Sequence, residues 1–241
     1  MMASGNFLFR LRGLWFGLIF WAGFSLYSVR RENIIEELSR GGQLRFGWNQ
    51  DAMAYALLAL MSAFAIAAAL IRTWASAYLS ATVVHDARLH SETLVADGPY
   101  RHVRNPLYFG TLLLAVAFAL MASWLGFVVI VVGISALTLA LIATEEAGLR
   151  ASQGEPYRAY LKAVPRLLPS LGPRIPASGR QANWTNGIRG ELYMWSFAAG
   201  LVAFAVTRKL WLFYVGAALG VAVLTIEGAM ASVRSKRTGN L

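Results

Sequence analysis

The sequence holds no cysteine among its 241 residues and only three histidines. Without cysteine there is no disulfide framework, no thiolate catalysis and no cysteine-ligated metal. The histidines (His85, His90 and His102) share one short polar stretch and lack the helical spacing of a zinc site, so no bound metal is expected. Charge is scarce too: 14% of residues are charged, where a soluble domain carries about a quarter. The shortage is concentrated in apolar runs. A bilayer core about 30 Å thick takes about 20 apolar residues per helix, and 57% of this chain is hydrophobic. The composition therefore points to an integral membrane protein. A net charge of +10 raises nucleic acid as a partner. Beside spanning helices, however, basic residues set orientation and meet anionic headgroups, so a membrane and not nucleic acid is the expected partner.

The apolar runs predict an all-α, polytopic membrane bundle of about six transmembrane helices, over residues 7–29, 52–80, 106–121, 124–144, 191–206 and 210–233. The first begins like a signal peptide, but it is long and lacks a small-residue cleavage site, so it reads as an uncleaved span. Residues 30–51 read as a polar loop of mixed charge. Residues 81–105 and 145–190 are polar, the latter basic and broken by Pro156, Pro165, Pro169, Pro173 and Pro176. The last two spans turn at Thr207, Arg208 and Lys209. Lys and Arg crowd into both long polar segments and both termini, against Arg30, Arg31, Arg40, Arg45, Arg208 and Lys209 on the other side. By the positive-inside rule, the termini and both segments face the cytoplasm.

The third and fourth spans run antiparallel, so the residues before Pro106 and after Thr144 end at one depth. The first junction runs from Gly98, Pro99 and Tyr100 through His102, Arg104, Asn105 and Pro106 to Tyr108; the second carries Glu145 and Glu146, followed by Tyr157 and Tyr160. Asn105 reads as a helix cap and Pro106 as the first helical residue. Free N–H groups and the helix dipole at such a start suit a carboxylate. Gly98 permits a tight turn and close approach to a ligand. Glu145 and Glu146 are acceptors for an ammonium or for ribose hydroxyls, and Tyr100 and Tyr108 offer faces to a sulfonium. This set fits S-adenosylmethionine. It also fits plainer roles: a helix start, a solvated acid pair, and tyrosines of an interfacial belt.

The ordered set over residues 85–170 resembles the signature of the isoprenylcysteine carboxyl methyltransferase and phospholipid methyltransferase superfamily: Gly-x-Tyr, Arg-His-Pro-x-Tyr, an apolar hairpin, a Glu pair and a tyrosine-rich helix closing here with Val164, Pro165 and Arg166. Asn105 stands where the isoprenylcysteine branch has histidine, and this version is more similar to the phosphatidylethanolamine methyltransferases. The resemblance implies an enzyme that transfers a methyl from S-adenosyl-L-methionine to a lipid acceptor, leaving S-adenosyl-L-homocysteine. It implies that Leu94, Val95, Gly98, Pro99, Tyr100, Arg104, Asn105, Pro106, Tyr108, Glu145 and Glu146 hold the cofactor. Tyr157 and Tyr160 would meet the substrate, Glu146, His90 and His102 are the candidate bases, and Arg104 would orient the acceptor. A phospholipid headgroup amine is the acceptor this favours. A prenylcysteine carboxylate is the alternative, and a nicotinamide-dependent sterol-type reductase with a similar segment is a reading in another class. On this view residues 1–241 form one membrane domain, with N-terminal spans to residue 80, a cofactor-binding core over 81–170, and a linker and helical hairpin over 171–241.

Arg72 and Glu227 lie inside spans, where a charge is a functional candidate by default, but a partner such as Arg234 or a reach to the interface explains Glu227 more simply; Arg72 is open to the same reading or to one in which it points into the cytoplasmic site. Gly13 with Gly17, and Gly216 with Gly220, are spaced for close helix contact and read as packing within a monomer. Asn183-Trp184-Thr185 matches a glycosylation sequon, discounted because it falls on the cytoplasmic side.

Overall fold

In the computed structural model, residues 7–9, 11–79 and 96–238 are described, with side chains to residue 230. Every regular element among them is helical, the form that satisfies each backbone polar group without water. The elements are α1 (Arg12–Ser25, continued by a 3-10 turn over Leu26–Ser28), α2 (Ile34–Phe46), α3 (Gln50–Ala77), a 3-10 turn (Gly98–Arg101), α4 (Pro106–Ala119), α5 (Trp124–Ala163), α6 (Trp184–Gly190), α7 (Leu192–Thr207) and α8 (Leu210–Thr238).

Among the described residues three helices are long and apolar enough to cross a membrane: α3, α5 and the Leu210–Met230 part of α8. The pair α6 and α7, bent by 62° at Glu191, adds a fourth if taken as one span. Six spans were expected. The difference lies in α1 and α4, which have 14 residues each and at 1.5 Å per residue reach only about 21 Å.

The core sits where α3, α4 and α7 meet, around Met61, Ala65, Leu114, Phe118 and Leu201. Helix α1 lies against α5 where Gly23 meets Gly126: a Cβ on Gly126 would come within 2.3 Å of the Gly23 carbonyl oxygen. The expected contacts at Gly13 and Gly17 are not formed, since a Cβ at either would find nothing within 4 Å. The other pair does pack: Gly216 faces Gly200, and Gly220 faces the Phe197 ring.

Two segments depart from the sequence reading. Residues expected to form a polar loop contain α2, started by a capping box in which the Asn33 side chain takes the Glu36 amide and the Glu36 carboxylate takes the Asn33 amide. Buried Ile34 and Ile35 pin α2 to the far end of the α4–α5 hairpin, and the Ile34 amide donates to the Ala122 carbonyl at 3.0 Å. Helix α5 also does not stop at Thr144. It runs on for 40 residues in all and breaks at Gly154, whose φ of 61° and ψ of −132° leave helical space. Pro156 follows the break, because within a continuous helix its ring would clash with the carbonyl four residues back.

Candidate active site

Helices α4 and α5 are joined by residues 120–123, so the start of α4 and the Glu145–Glu146 turn of α5 lie side by side at one end of the bundle. Glu146 is 2% exposed, and three guanidinium groups surround it: Arg104 Nε at 3.5 Å, Arg150 at 3.4 Å and Arg166 at 3.3 Å. Among the described residues, the Nε–H groups of Arg104 and Arg166 are buried and meet no hydrogen-bond acceptor. Glu145 faces the other way and accepts a hydrogen bond from the Tyr108 hydroxyl at 2.7 Å. The acid pair is thus split between a cluster of cations and a phenol, and it lies inside a helix rather than at its end.

Pro106 occupies the first turn of α4 as expected, but the Asn105 side chain does not cap it. Its φ of −124° and ψ of 59° turn the amide away from the helix start. Nδ2 instead donates to the Arg166 carbonyl at 2.9 Å and approaches Glu146 Oε1 at 3.5 Å. The free N–H groups of α4 are left without a side-chain cap.

A proline-broken strap ties this corner together. Residues 165–180 run back along residues 97–105 in opposite sequence order. The Arg104 amide donates to the Pro165 carbonyl, the Ser170 amide to the His102 carbonyl and the Arg174 amide to the Arg101 carbonyl, at 2.8–3.0 Å. Prolines prevent the strap from coiling into a helix, and the residues after Pro169 and Pro173 supply the second and third of these donors. At its far end Asp97, 2% exposed, accepts from the Ser178 hydroxyl and from the Ser178 and Arg180 amides. The Ser178 hydroxyl, with the two amides, holds the Asp97 carboxyl below its ordinary range against the opposing effect of burial.

The other predicted residues take distinct places. His102 directs Nδ1 at the Ser170 carbonyl, 3.0 Å away, so that nitrogen carries the proton and only Nε2 remains to accept one. Tyr100 is buried, its phenol pushed upward chiefly by that burial, and its carbonyl accepts from the Tyr160 hydroxyl at 2.8 Å. Pro99 is buried beside it. Gly98 has a φ of 57°, the expected tight turn, but its close approach is to protein: a Cβ would come within 2.3 Å of the Tyr78 ring. Tyr157 and Tyr160 are 3% and 6% exposed and pack with Val164 under the corner. Leu94, Val95 and His90 lie outside the described residues. Arg72 does not point into the site but pairs with Glu191.

Sequence reasoning missed Arg150 as a partner of Glu146, although its position four residues on along one helix face was a usable signal. It also missed the Asp97–Ser178 anchor, which no local pattern announces. No group of three or more histidine and acidic residues among those described is arranged to hold a metal ion.

No curated protein and no solved structure matches the chain. Residues 52–154, which run from α3 through α4 to the break in α5, match the model of the phospholipid methyltransferase family. The resemblance carried by the Gly98–Tyr108 and Glu145–Glu146 motifs agrees with that match, and over residues 52–154 the chain is similar to the phospholipid methyltransferase family.

Proposed function

We propose that the protein is an S-adenosyl-L-methionine-dependent membrane methyltransferase whose acceptor is a phospholipid headgroup amine. The observation that carries this reading is the meeting of Arg104 and Asn105 with Glu146 at one corner, within a segment that matches a lipid methyltransferase family. The corner fits the cofactor chemically. Two buried guanidinium N–H groups without acceptors suit a carboxylate, and Glu145 and Glu146 offer acceptors for an ammonium or for ribose hydroxyls. Arg104, Asn105, Tyr108, Glu145 and Glu146 would hold it.

When bound, the cofactor supplies an electrophilic methyl on a sulfonium, which passes to the acceptor nitrogen as the carbon–sulfur bond breaks and S-adenosyl-L-homocysteine leaves. The residues of the chain then have three tasks. They hold the acceptor in line, where proximity supplies much of the rate. They keep its amine neutral by excluding water. One of Glu146, His102 or His90 takes the departing proton. His102 could do so only at Nε2, since Nδ1 is committed to Ser170. The acceptor enters from the bilayer, and the basic surface from Arg150 to Arg189 attracts anionic lipid at about 1 kcal/mol per residue near the surface. We place this corner and both termini on the cytoplasmic side of a multi-pass monomer, on the distribution of Lys and Arg, and take the chain as one membrane domain.

Calorimetric titration of the detergent-purified protein with S-adenosyl-L-homocysteine, with a reduced nicotinamide cofactor as control, tests the reading. Saturable binding of the former alone is expected. Transfer of labelled methyl to phosphatidylethanolamine rather than to a prenylcysteine then identifies the acceptor. Binding of the nicotinamide alone, or of neither in the presence of lipid, overturns the assignment.

A further inference from the structure

Arg72 is the most fully engaged cation among the described residues, and it lies outside the corner just described. Each of its five N–H groups has an acceptor. Nε and one Nη bind the two carboxylate oxygens of Glu191, at 2.7 and 3.1 Å. That Nη also reaches the Tyr193 hydroxyl, while the other donates to the Leu107 carbonyl and the Thr111 hydroxyl, both at 3.0 Å. Glu191 is wholly buried at the bend between α6 and α7. A buried guanidinium satisfied in this way is fixed in direction, because its planar fork allows one orientation for all five bonds.

The two bonds to α4 matter most. Leu107 stands between Pro106 and Tyr108, in the turn that sets Asn105 against Glu146 and Tyr108 against Glu145. Thr111 lies one turn further along the same face. Gly110 makes room for the contact, since a Cβ there would come within 2.5 Å of Arg72 Cγ. Helices α3 and α7 have a separate tie, the Trp195 indole N–H to the Thr73 hydroxyl at 3.0 Å. Holding those two helices together therefore does not require Arg72, whereas it makes the polar connection from them to the first turn of α4.

We infer that Arg72, buttressed by Glu191, is a positioning residue for the proposed methyl transfer: it fixes the start of α4 so that Asn105 and Tyr108 present the acid pair to the cofactor. The inference rests on the methyltransferase reading, and its test separates the two. Replacing both members of a buried ion pair by apolar residues of similar size often leaves stability unchanged. The double variant Arg72→Met with Glu191→Met removes the brace on α4 without leaving a lone buried charge. Arg72→Lys keeps the charge opposite Glu191 but cannot reach Leu107 and Thr111 as well.

Affinity for S-adenosyl-L-homocysteine, kcat, KM and melting temperature are measured for each variant beside the unaltered protein. For a displaced first turn, affinity or kcat is expected to fall roughly ten- to a hundred-fold in both variants, while melting stays within a few degrees. If the double variant does not fold, Arg72→Lys decides alone. Affinity and kcat equal to those of the unaltered protein in a folded variant overturn the inference. So does a loss that only tracks the unfolded fraction. Failure of the unaltered protein to bind S-adenosyl-L-homocysteine overturns instead the reading on which the inference rests.

Discussion

The Tyr108 hydroxyl donates to Oε1 of Glu145 at 2.7 Å, joining the first turn of α4 to the middle of α5. Both side chains are half-buried, and the bond turns Glu145 away from the arginines that surround its neighbour Glu146. One helical step thus sends two adjacent carboxylates into different surroundings.

Tyr108→Phe removes that bond and leaves the carboxylate partly shielded from water. The loss of a hydrogen bond to a charged group should cost about 2 kcal/mol, read as a lower melting temperature of the purified protein. Affinity for S-adenosyl-L-homocysteine should fall with it. An unchanged melting temperature would show that Glu145 is held by other groups.

Glu146 and its cations should respond unequally. Glu146→Ala strands Arg104, whose side chain is 12% exposed, and should destabilise by about 3 kcal/mol as well as abolish methyl transfer. Arg150→Ala removes a side chain that is 49% exposed and should cost less than about 1 kcal/mol. Equal losses from the two substitutions would contradict the central place given to the Arg104–Glu146 contact.

The strap should be sensitive to acid in one direction. Asp97 is held below its ordinary carboxyl range by the Ser178 hydroxyl and the Ser178 and Arg180 amides. A depressed folded value gives stability that is present above the unfolded value, about 3.9. It is lost as pH falls through the lower folded value. Hydrogen exchange at the Ser178 and Arg180 amides should therefore stay slow down to about pH 4 and quicken only in stronger acid. Asp97→Asn should speed it at every pH.

Glycines with the same apparent spacing signal should differ. Gly126→Ala pushes a methyl into the Gly23 backbone and should destabilise by about 1–3 kcal/mol, the cost of overpacking. Gly17→Ala meets open space and should leave the melting temperature unchanged. Thermal melts of the two variants side by side settle the difference.

Much of this was legible in local sequence. The apolar runs became α3, the first part of α5, and the α7–α8 hairpin turning at Arg208, because a long stretch without charge has few ways to fold other than as a helix. The short connection of α4 to α5 placed the two motifs together for the same reason, since two helices joined by four residues must run antiparallel.

What the sequence by itself determined is therefore the helical class, the starts of the long apolar helices and the nearness of Arg104, Asn105 and Tyr108 to Glu145 and Glu146; each follows from periodicity, hydropathy or chain connectivity, which act over short distances. The tertiary structure alone decided the direction of each polar side chain. Asn105 gave up its own helix start for the Arg166 carbonyl, Arg72 turned to Glu191 at a position 119 residues away, and Asp97 took Ser178 as its partner. A buried donor or acceptor must find whichever partner the packed chain brings within about 3 Å, and a pairing between distant segments leaves no pattern in either one.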